Sequence, residues 1–138
     1  MIKINDISVG ILAGGKATRM GNKDKGLVHV NGEPLIKNLI DKISKKTSNI
    51  IINANRNINT YEFYNYPVVK DVLENFQGPL AGIYSMLKFS KTDYLVTLPC
   101  DCPNFSWDVV QKLLEETDKT TDISIAHNTL RSQPVFML

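Results

Sequence analysis

The residues most able to do chemistry open the run Gly14-Gly15-Lys16-Ala17-Thr18-Arg19-Met20-Gly21-Asn22-Lys23-Asp24-Lys25-Gly26, which carries Lys16, Arg19, Lys23 and Lys25 against Asp24 as its one acid. Glycine lets backbone N–H groups approach an anion without a Cβ in the way. Lysine and arginine then neutralise phosphate charge. The bland alternative is a strand followed by a basic surface loop. Two familiar phosphate loops fail. Gly10-x-x-x-x-Gly15-Lys16 nearly spells a P-loop, but Ala17 has no hydroxyl for Mg²⁺. The dinucleotide fingerprint G-x-G-x-x-G is absent. A carboxylate stands later in Pro99-Cys100-Asp101-Cys102-Pro103. Mg²⁺ prefers oxygen ligands and is commonly held by one or two carboxylates plus substrate phosphates, a role open to Asp101. The alternative is a loop aspartate that meets water or serves the helix start near Ser106. Asn53 opens the asparagine-rich stretch Asn53-Ala54-Asn55-Arg56, which on its own residues reads as a simple turn.

These residues need elements to position them. Ile7 to Ala13 is apolar and β-branched, a buried strand that empties into the glycine loop. Leu27 to Val30 reads as a short strand, with Asn31-Gly32 as a tight turn. Asn31 to Leu35 then starts a helix with Pro34 in its first turn, and Leu35, Ile36, Leu39, Ile40 and Ile43 on one face. Asn49 to Asn53 is a buried strand with a loop to Asn57. Tyr61 to Tyr66 is open to a short helix. Tyr66 to Lys70 is a strand ending at Asp71. Gly78-Pro79 begins a helix expected to turn Leu80, Ile83, Tyr84 and Leu87 inward. Tyr94 to Leu98 is the strand before Asp101. Ser106 caps a helix to Glu116, with Trp107, Val110, Leu113 and Leu114 inward. Asp122 to Ala126 and Gln133 to Leu138 are the last strands, the final one expected at an exposed edge with unpaired backbone and a risk of association.

Strands alternating with helices at this spacing suit right-handed βαβ crossovers. The expected fold is α/β: three layers around a doubly wound, mainly parallel sheet. Ligands in such sheets bind beyond the carboxyl ends of the strands. Gly14 to Lys25, Asn53, Asp71 and Asp101 each follow a strand, so separate segments converge on one rim.

A chain of 138 residues is one domain with room for a core. Its 43% apolar and 22% charged residues are ordinary for a globular protein. The net charge of +2 leaves no basic stripe outside the first loop, so neither nucleic acid nor membrane is expected as a partner. No apolar run approaches the ~18 residues of a membrane span, and no signal peptide is visible. Cys100 and Cys102 are too few for a disulfide framework or a zinc site; they fit packing roles in a reducing cytoplasm. His29 and His127 have no supporting neighbours in the sequence, and neither is assigned chemistry.

The pattern Leu12-Ala-Gly-Gly-x-x-x-Arg19-Met-Gly21-x-x-Asp24-Lys25-Gly26 resembles the nucleotide-binding signature of the molybdenum cofactor guanylyltransferases. Asn53-Ala54-Asn55-Arg56, Gly78-Pro-Leu-Ala-Gly82 and Pro99-Cys100-Asp101 resemble further motifs of that family. Asn22 stands where the family usually has a second glycine, a mild departure because asparagine tolerates left-handed angles. The resemblance runs from Val9 to Leu138. It implies a Rossmann-like nucleotidyltransferase fold, with GTP and the molybdopterin cofactor as substrates and Mg²⁺ held by Asp101. Other molybdenum cofactor biosynthesis and acceptor proteins are implied partners. Lys25 and Arg19 would contact phosphates. Leu12, Ala13, Gly14 and Gly15 would line the nucleotide through backbone. Asn53, Asp71 and Gly78 would contact the nucleotide.

The implied reaction is transfer of GMP from GTP to a terminal phosphate on the pterin, releasing pyrophosphate. Little covalent chemistry falls to the protein, and no nucleophilic side chain is expected. Family members continue past Leu138 with further helices, a strand and an Asn-rich Thr-Pro segment. The expectation is one nucleotidyltransferase-like domain over 1–138 without the carboxyl-terminal acceptor portion. Two other readings compete. One is a cytidylyl or sugar-phosphate nucleotidyltransferase, which Arg19-Met20-Gly21 alone would allow. The other is a non-catalytic nucleotide-binding fragment.

Overall fold

Five of the six residues of β1 (Ile7–Leu12) are buried, as a short β-branched run in the middle of a sheet should be. A computed structural model describes residues 1–14, 23–74, 78–127 and 132–138 of the chain. The described elements after β1 are β2 (His29–Val30), β3 (Glu33–Pro34), α1 (Leu35–Ile43), β4 (Ile50–Asn53), α2 (Ile58–Glu62), β5 (Val68–Val69), α3 (Pro79–Phe89), β6 (Tyr94–Pro99), α4 (Trp107–Glu116), β7 (Ile125–His127) and β8 (Ser132–Met137). The main sheet runs β5-β4-β1-β6-β8-β7, and β2 with β3 forms a separate two-stranded hairpin.

β1 lies between β4 and β6 and is parallel to both. The chain moves outward from β1 through β4 to β5, then crosses back to β6 on the other side. The order therefore reverses at β1, which is where ligands bind in open α/β sheets. The register brings that point to atomic detail: Leu12 faces Asn53 on β4 and Pro99 on β6. β8 is antiparallel to β6, and β7 to β8.

Side chains alternate across the sheet. Ile7, Val9 and Ile11 join Ile50, Ile52, Val96 and Leu98 in the larger core, against Ile36, Leu39, Ile40 and Ile43 of α1 and Val110 and Leu113 of α4. The opposite face packs Ile51 and Leu95 on Met86 of α3. Helices thus cover both faces, giving the three-layer α/β sandwich expected. Ser106 accepts a hydrogen bond from the backbone N–H of Asp108 and caps α4 as anticipated. Among the described residues no helix is long and apolar enough to cross a membrane.

Four local expectations are corrected. The strand placed over Leu27 to Val30 begins as a tight 3-10 turn, Lys25–Leu27, and extends only at His29. Pro34 precedes α1 in extended geometry, pairing in the hairpin opposite His29, because a ψ of 141° cannot enter the helix. The helix turn expected within Tyr61 to Tyr66 comes earlier, at Ile58–Glu62, with Tyr61 buried. The last strand is not an edge: β8 sits between β6 and β7, so its backbone has neighbours on both sides, and the edges are β5 and β7.

The inner face of α3 also differs from its apolar pattern. Ala81, Gly82, Ile83, Ser85 and Met86 are buried, whereas Leu80, Tyr84 and Leu87 are exposed. Small residues face the sheet because the helix docks close to it. A Cβ on Gly82 would strike the Asn53 amide and the Leu12 side chain. Apolar periodicity ranks bulky residues first, and here close approach outranks bulk.

Candidate functional site

The rim above β1 has two halves, one on each side of Leu12. On the β4 side, Asn53 is buried, and its Nδ2 donates to the Val69 carbonyl at 3.1 Å and to Asp71 Oδ1 at 2.8 Å. Asn55 completes the unit. Its Nδ2 donates to the Gly14 carbonyl at 3.1 Å and to Asp71 Oδ2 at 3.1 Å. Its Oδ1 accepts from the Asp71 backbone N–H at 2.9 Å. Two amides therefore hold both oxygens of the Asp71 carboxylate, which stays partly exposed beside the backbone that leaves β1. Gly14 is constrained by the same unit: a Cβ there would come within 2.8 Å of Asn53 Oδ1 and 2.9 Å of Asn55 Nδ2. Gly78, exposed, opens α3 with φ +128°, and one turn later Gly82 touches the Asn53 unit.

On the β6 side, Lys25 Nζ lies 3.5 Å from Asp101 Oδ2, with the two side chains 51% and 43% exposed. A half-exposed pair of this kind adds little stability. It is a charge pair open to solvent and to a ligand. Lys25 is carried by the Lys25–Leu27 turn, and the turn is fastened from below. Asp24 is buried; its Oδ1 accepts from the Gly26 N–H at 3.2 Å and from the Tyr61 hydroxyl, and its Oδ2 accepts from Asn57 Nδ2 at 3.1 Å. Burial, then the adjacent Asp24 carboxylate, pushes the Tyr61 hydroxyl well above its usual range, so it remains a protonated donor.

The cysteines behave as packing residues. Cys100 is buried in the main core, and burial, reinforced by the charge of Asp101, pushes its thiol up to about 12. Cys102 shifts the same way, by burial first and Asp101 second. Thiols held protonated near neutral pH are poor nucleophiles. His29 and His127 are exposed.

Mg²⁺, which the family resemblance implies, meets a sparse protein donor set. Among the described residues no group of three or more His, Cys, Asp or Glu could hold a metal ion. Asp101 nonetheless offers a half-exposed carboxylate with a cation, the Lys25 ammonium, already against it. That fits the mode in which one carboxylate and substrate phosphates share the ion, and does not fit an all-protein cage.

The expected residues Leu12, Ala13, Gly14, Lys25, Asn53, Asp71, Gly78 and Asp101 all fall at strand ends or the connections that follow them. Gly15, Arg19 and Asn22 lie outside the described residues. Three contributors to the site carry no clear mark in the sequence. Asn55 was visible inside Asn53-Ala54-Asn55-Arg56 but indistinguishable there from a turn residue. Tyr61 and Asn57 gave no signal, since only the fold brings them to Asp24.

Gly14 at the switch point of a doubly wound sheet, with a lysine–aspartate pair on one side and an amide-held aspartate on the other, is the Rossmann-like arrangement of the nucleotidyltransferases. A family model described as the MobA-like NTP transferase domain matches residues 9–138. The chain belongs to that family. It is 48% identical over 128 residues to a molybdenum cofactor guanylyltransferase of Vibrio vulnificus, covering 93% of this chain and 65% of that protein. It is 45% identical over 133 residues to one from Shewanella putrefaciens, covering 96% and 68%. The chain thus spans about two-thirds of the length of these curated relatives. In fold it is similar to the molybdopterin-guanine dinucleotide biosynthesis protein A of Archaeoglobus fulgidus, with a TM-score of 0.73 at 22% identity over 94% of this chain and 65% of that one.

Proposed function

We propose that this chain carries the nucleotide half of a molybdenum cofactor guanylyltransferase, transferring GMP from GTP to molybdopterin. The observation that supports this most is the pairing of Lys25 with Asp101 on one flank of Leu12, opposite the Asn53–Asn55–Asp71 unit on the other. A cation and a carboxylate suit a triphosphate with its metal; an amide-held carboxylate suits a base or ribose. The names of the relatives favour GTP and molybdopterin as substrates, and other proteins of molybdenum cofactor biosynthesis as partners.

In the reaction, an oxygen of the pterin's terminal phosphate attacks the α-phosphorus of GTP. The bond from that phosphorus to the oxygen bridging toward the β-phosphate breaks, and the oxygen leaves with its electron pair on pyrophosphate. Lys25 neutralises triphosphate charge, and Arg19, on the same loop in sequence, takes further phosphate oxygens in bidentate fashion. The backbone from Leu12 to Gly14 lines the nucleotide. Asp71 accepts from the adjacent N1–H and N2–H₂ donors of guanine or from a ribose hydroxyl, with Asn53 and Asn55 fixing its direction. Gly78 lets the α3 start approach the nucleotide. Asp101 would hold Mg²⁺, which, when bound, supplies charge neutralisation on the phosphates. Positioning and electrostatics carry the rate enhancement.

The test is pyrophosphate release from GTP in the presence of molybdopterin and Mg²⁺. Release that requires the pterin and vanishes in Asp101→Ala supports transfer. GTP binding without pterin-dependent release would reduce the proposal to a non-catalytic nucleotide-binding module.

A further inference from the structure

We propose that Asp24, clamped by Tyr61 and Asn57, is a positioning residue that sets the Lys25 backbone so that its ammonium meets Asp101 and the triphosphate. This rests on the nucleotide reading above and adds to it a part that touches no substrate.

Asp24 sits between Lys23 and Lys25 in a cationic loop, where an exposed carboxylate would be expected. Instead it is only 9% exposed. A buried carboxylate is costly unless its oxygens are hydrogen-bonded. Here they are, by the Gly26 N–H, the Tyr61 hydroxyl and Asn57 Nδ2. Each Asp24 oxygen thus has a donor from this chain, two on Oδ1 and one on Oδ2, which ties the carboxylate to the fold.

The clamp spans distant chain. Tyr61 is fully buried within the main core, so its hydroxyl is a fixed point. Asn57 has φ 52°, a left-handed geometry that asparagine tolerates better than most residues. Gly26 closes the device: a Cβ there would lie 2.5 Å from the Tyr61 hydroxyl. The Lys25–Leu27 turn therefore rests directly on Tyr61. The Leu27 N–H bonds the Asp24 carbonyl at 3.1 Å, and the Val28 N–H bonds the Lys25 carbonyl at 3.3 Å. Arg56 Nη2 reaches the Lys23 carbonyl at 3.5 Å, tying the approach to the turn as well. Lys25 itself is half exposed, and its ammonium pairs with Asp101. Its precision must come from the backbone beneath it.

Two mild variants test this. Tyr61→Phe removes one hydroxyl and keeps the ring in the core. Asn57→Gly removes the amide and keeps the left-handed backbone accessible. Hydrogen exchange at the Gly26 and Leu27 amides is the first readout. Both variants should speed it by about tenfold, the loss of one hydrogen bond to a charged group, while β1 and β6 amides stay as they are. Calorimetric titration with GTP and Mg²⁺ is the second. Each variant should weaken binding by about tenfold. In a Lys25→Ala background the same variants should change GTP affinity by less than about twofold, since their effect runs through Lys25. Equal losses in both backgrounds, or unchanged Gly26 exchange, would overturn the positioning role. If the unaltered chain bound no nucleotide, the nucleotide reading would fail, and the clamp would still be decided by Gly26 exchange.

Discussion

The Nζ of Lys25 lies 3.5 Å from Oδ2 of Asp101, and both side chains are about half exposed. The two residues are 76 positions apart in the numbering and meet only because β6 is the neighbour of β1. An ion pair this open contributes less than about 1 kcal/mol to folding. Lys25→Ala is therefore expected to leave the thermal midpoint nearly unchanged while weakening GTP binding by about tenfold or more. Thermal melting beside calorimetric titration separates the two effects. A large drop in melting temperature would recast the pair as structural.

Asn55 should matter more than its exposure suggests. Asn55→Ala removes bonds to the Gly14 carbonyl and to both the carboxylate and the N–H of Asp71. The stability loss should be about 1–2 kcal/mol, because surface bonds are partly replaced by water. Preference for GTP over ATP should fall further, since Asp71 loses one of its two amide partners. Urea denaturation and competition titrations read the two quantities.

Gly82→Ala tests the close docking of α3. The added methyl would meet the Asn53 amide and Leu12. The strain should cost about 1–3 kcal/mol, with GTP binding reduced in parallel as Asn53 shifts away from Asp71. Leu80→Ala, on the exposed side of the same helix, should cost much less. Equal destabilisation by the two variants would mean that the helix faces are assigned the wrong way round.

Much of the arrangement is legible in the sequence, for identifiable reasons. β1 announces itself because a short β-branched run has few other uses. The α1 face is readable because Leu35, Ile36, Leu39, Ile40 and Ile43 are both apolar and buried. Rim residues follow from topology, since parallel strands put their ends together. What resists reading depends on long-range contact. The α3 face is chosen by smallness at Gly82 rather than by hydrophobicity. β8 is an inner strand because it pairs with β6, distant in sequence, as well as with the nearby β7. Tyr61 reaches Asp24 across 37 positions, and nothing local marks it as part of a loop anchor.

Cys100 gives a pH signature. Its thiol lies near 9.0 when unburied and is pushed up to about 12 in the fold by burial and by Asp101. Between these values the unfolded chain has lost a proton that the folded chain keeps. Stability linked to this group is thus fully present below about pH 9 and declines as pH rises toward 12. Denaturation curves at pH 8 and pH 10 should show the fall, and Cys100→Ala should flatten it. Alkylation at pH 8 should reach Cys102 before the more deeply buried Cys100.

The most direct measurement is calorimetric titration of the 138-residue chain with GTP, CTP and ATP, each with Mg²⁺, alongside Asp101→Ala. An intact guanylyl site predicts binding selective for GTP that weakens by at least about tenfold in the variant. Equal affinity for the three nucleotides, or no binding at all, would contradict a guanylyl site built from Lys25, Asp71 and Asp101.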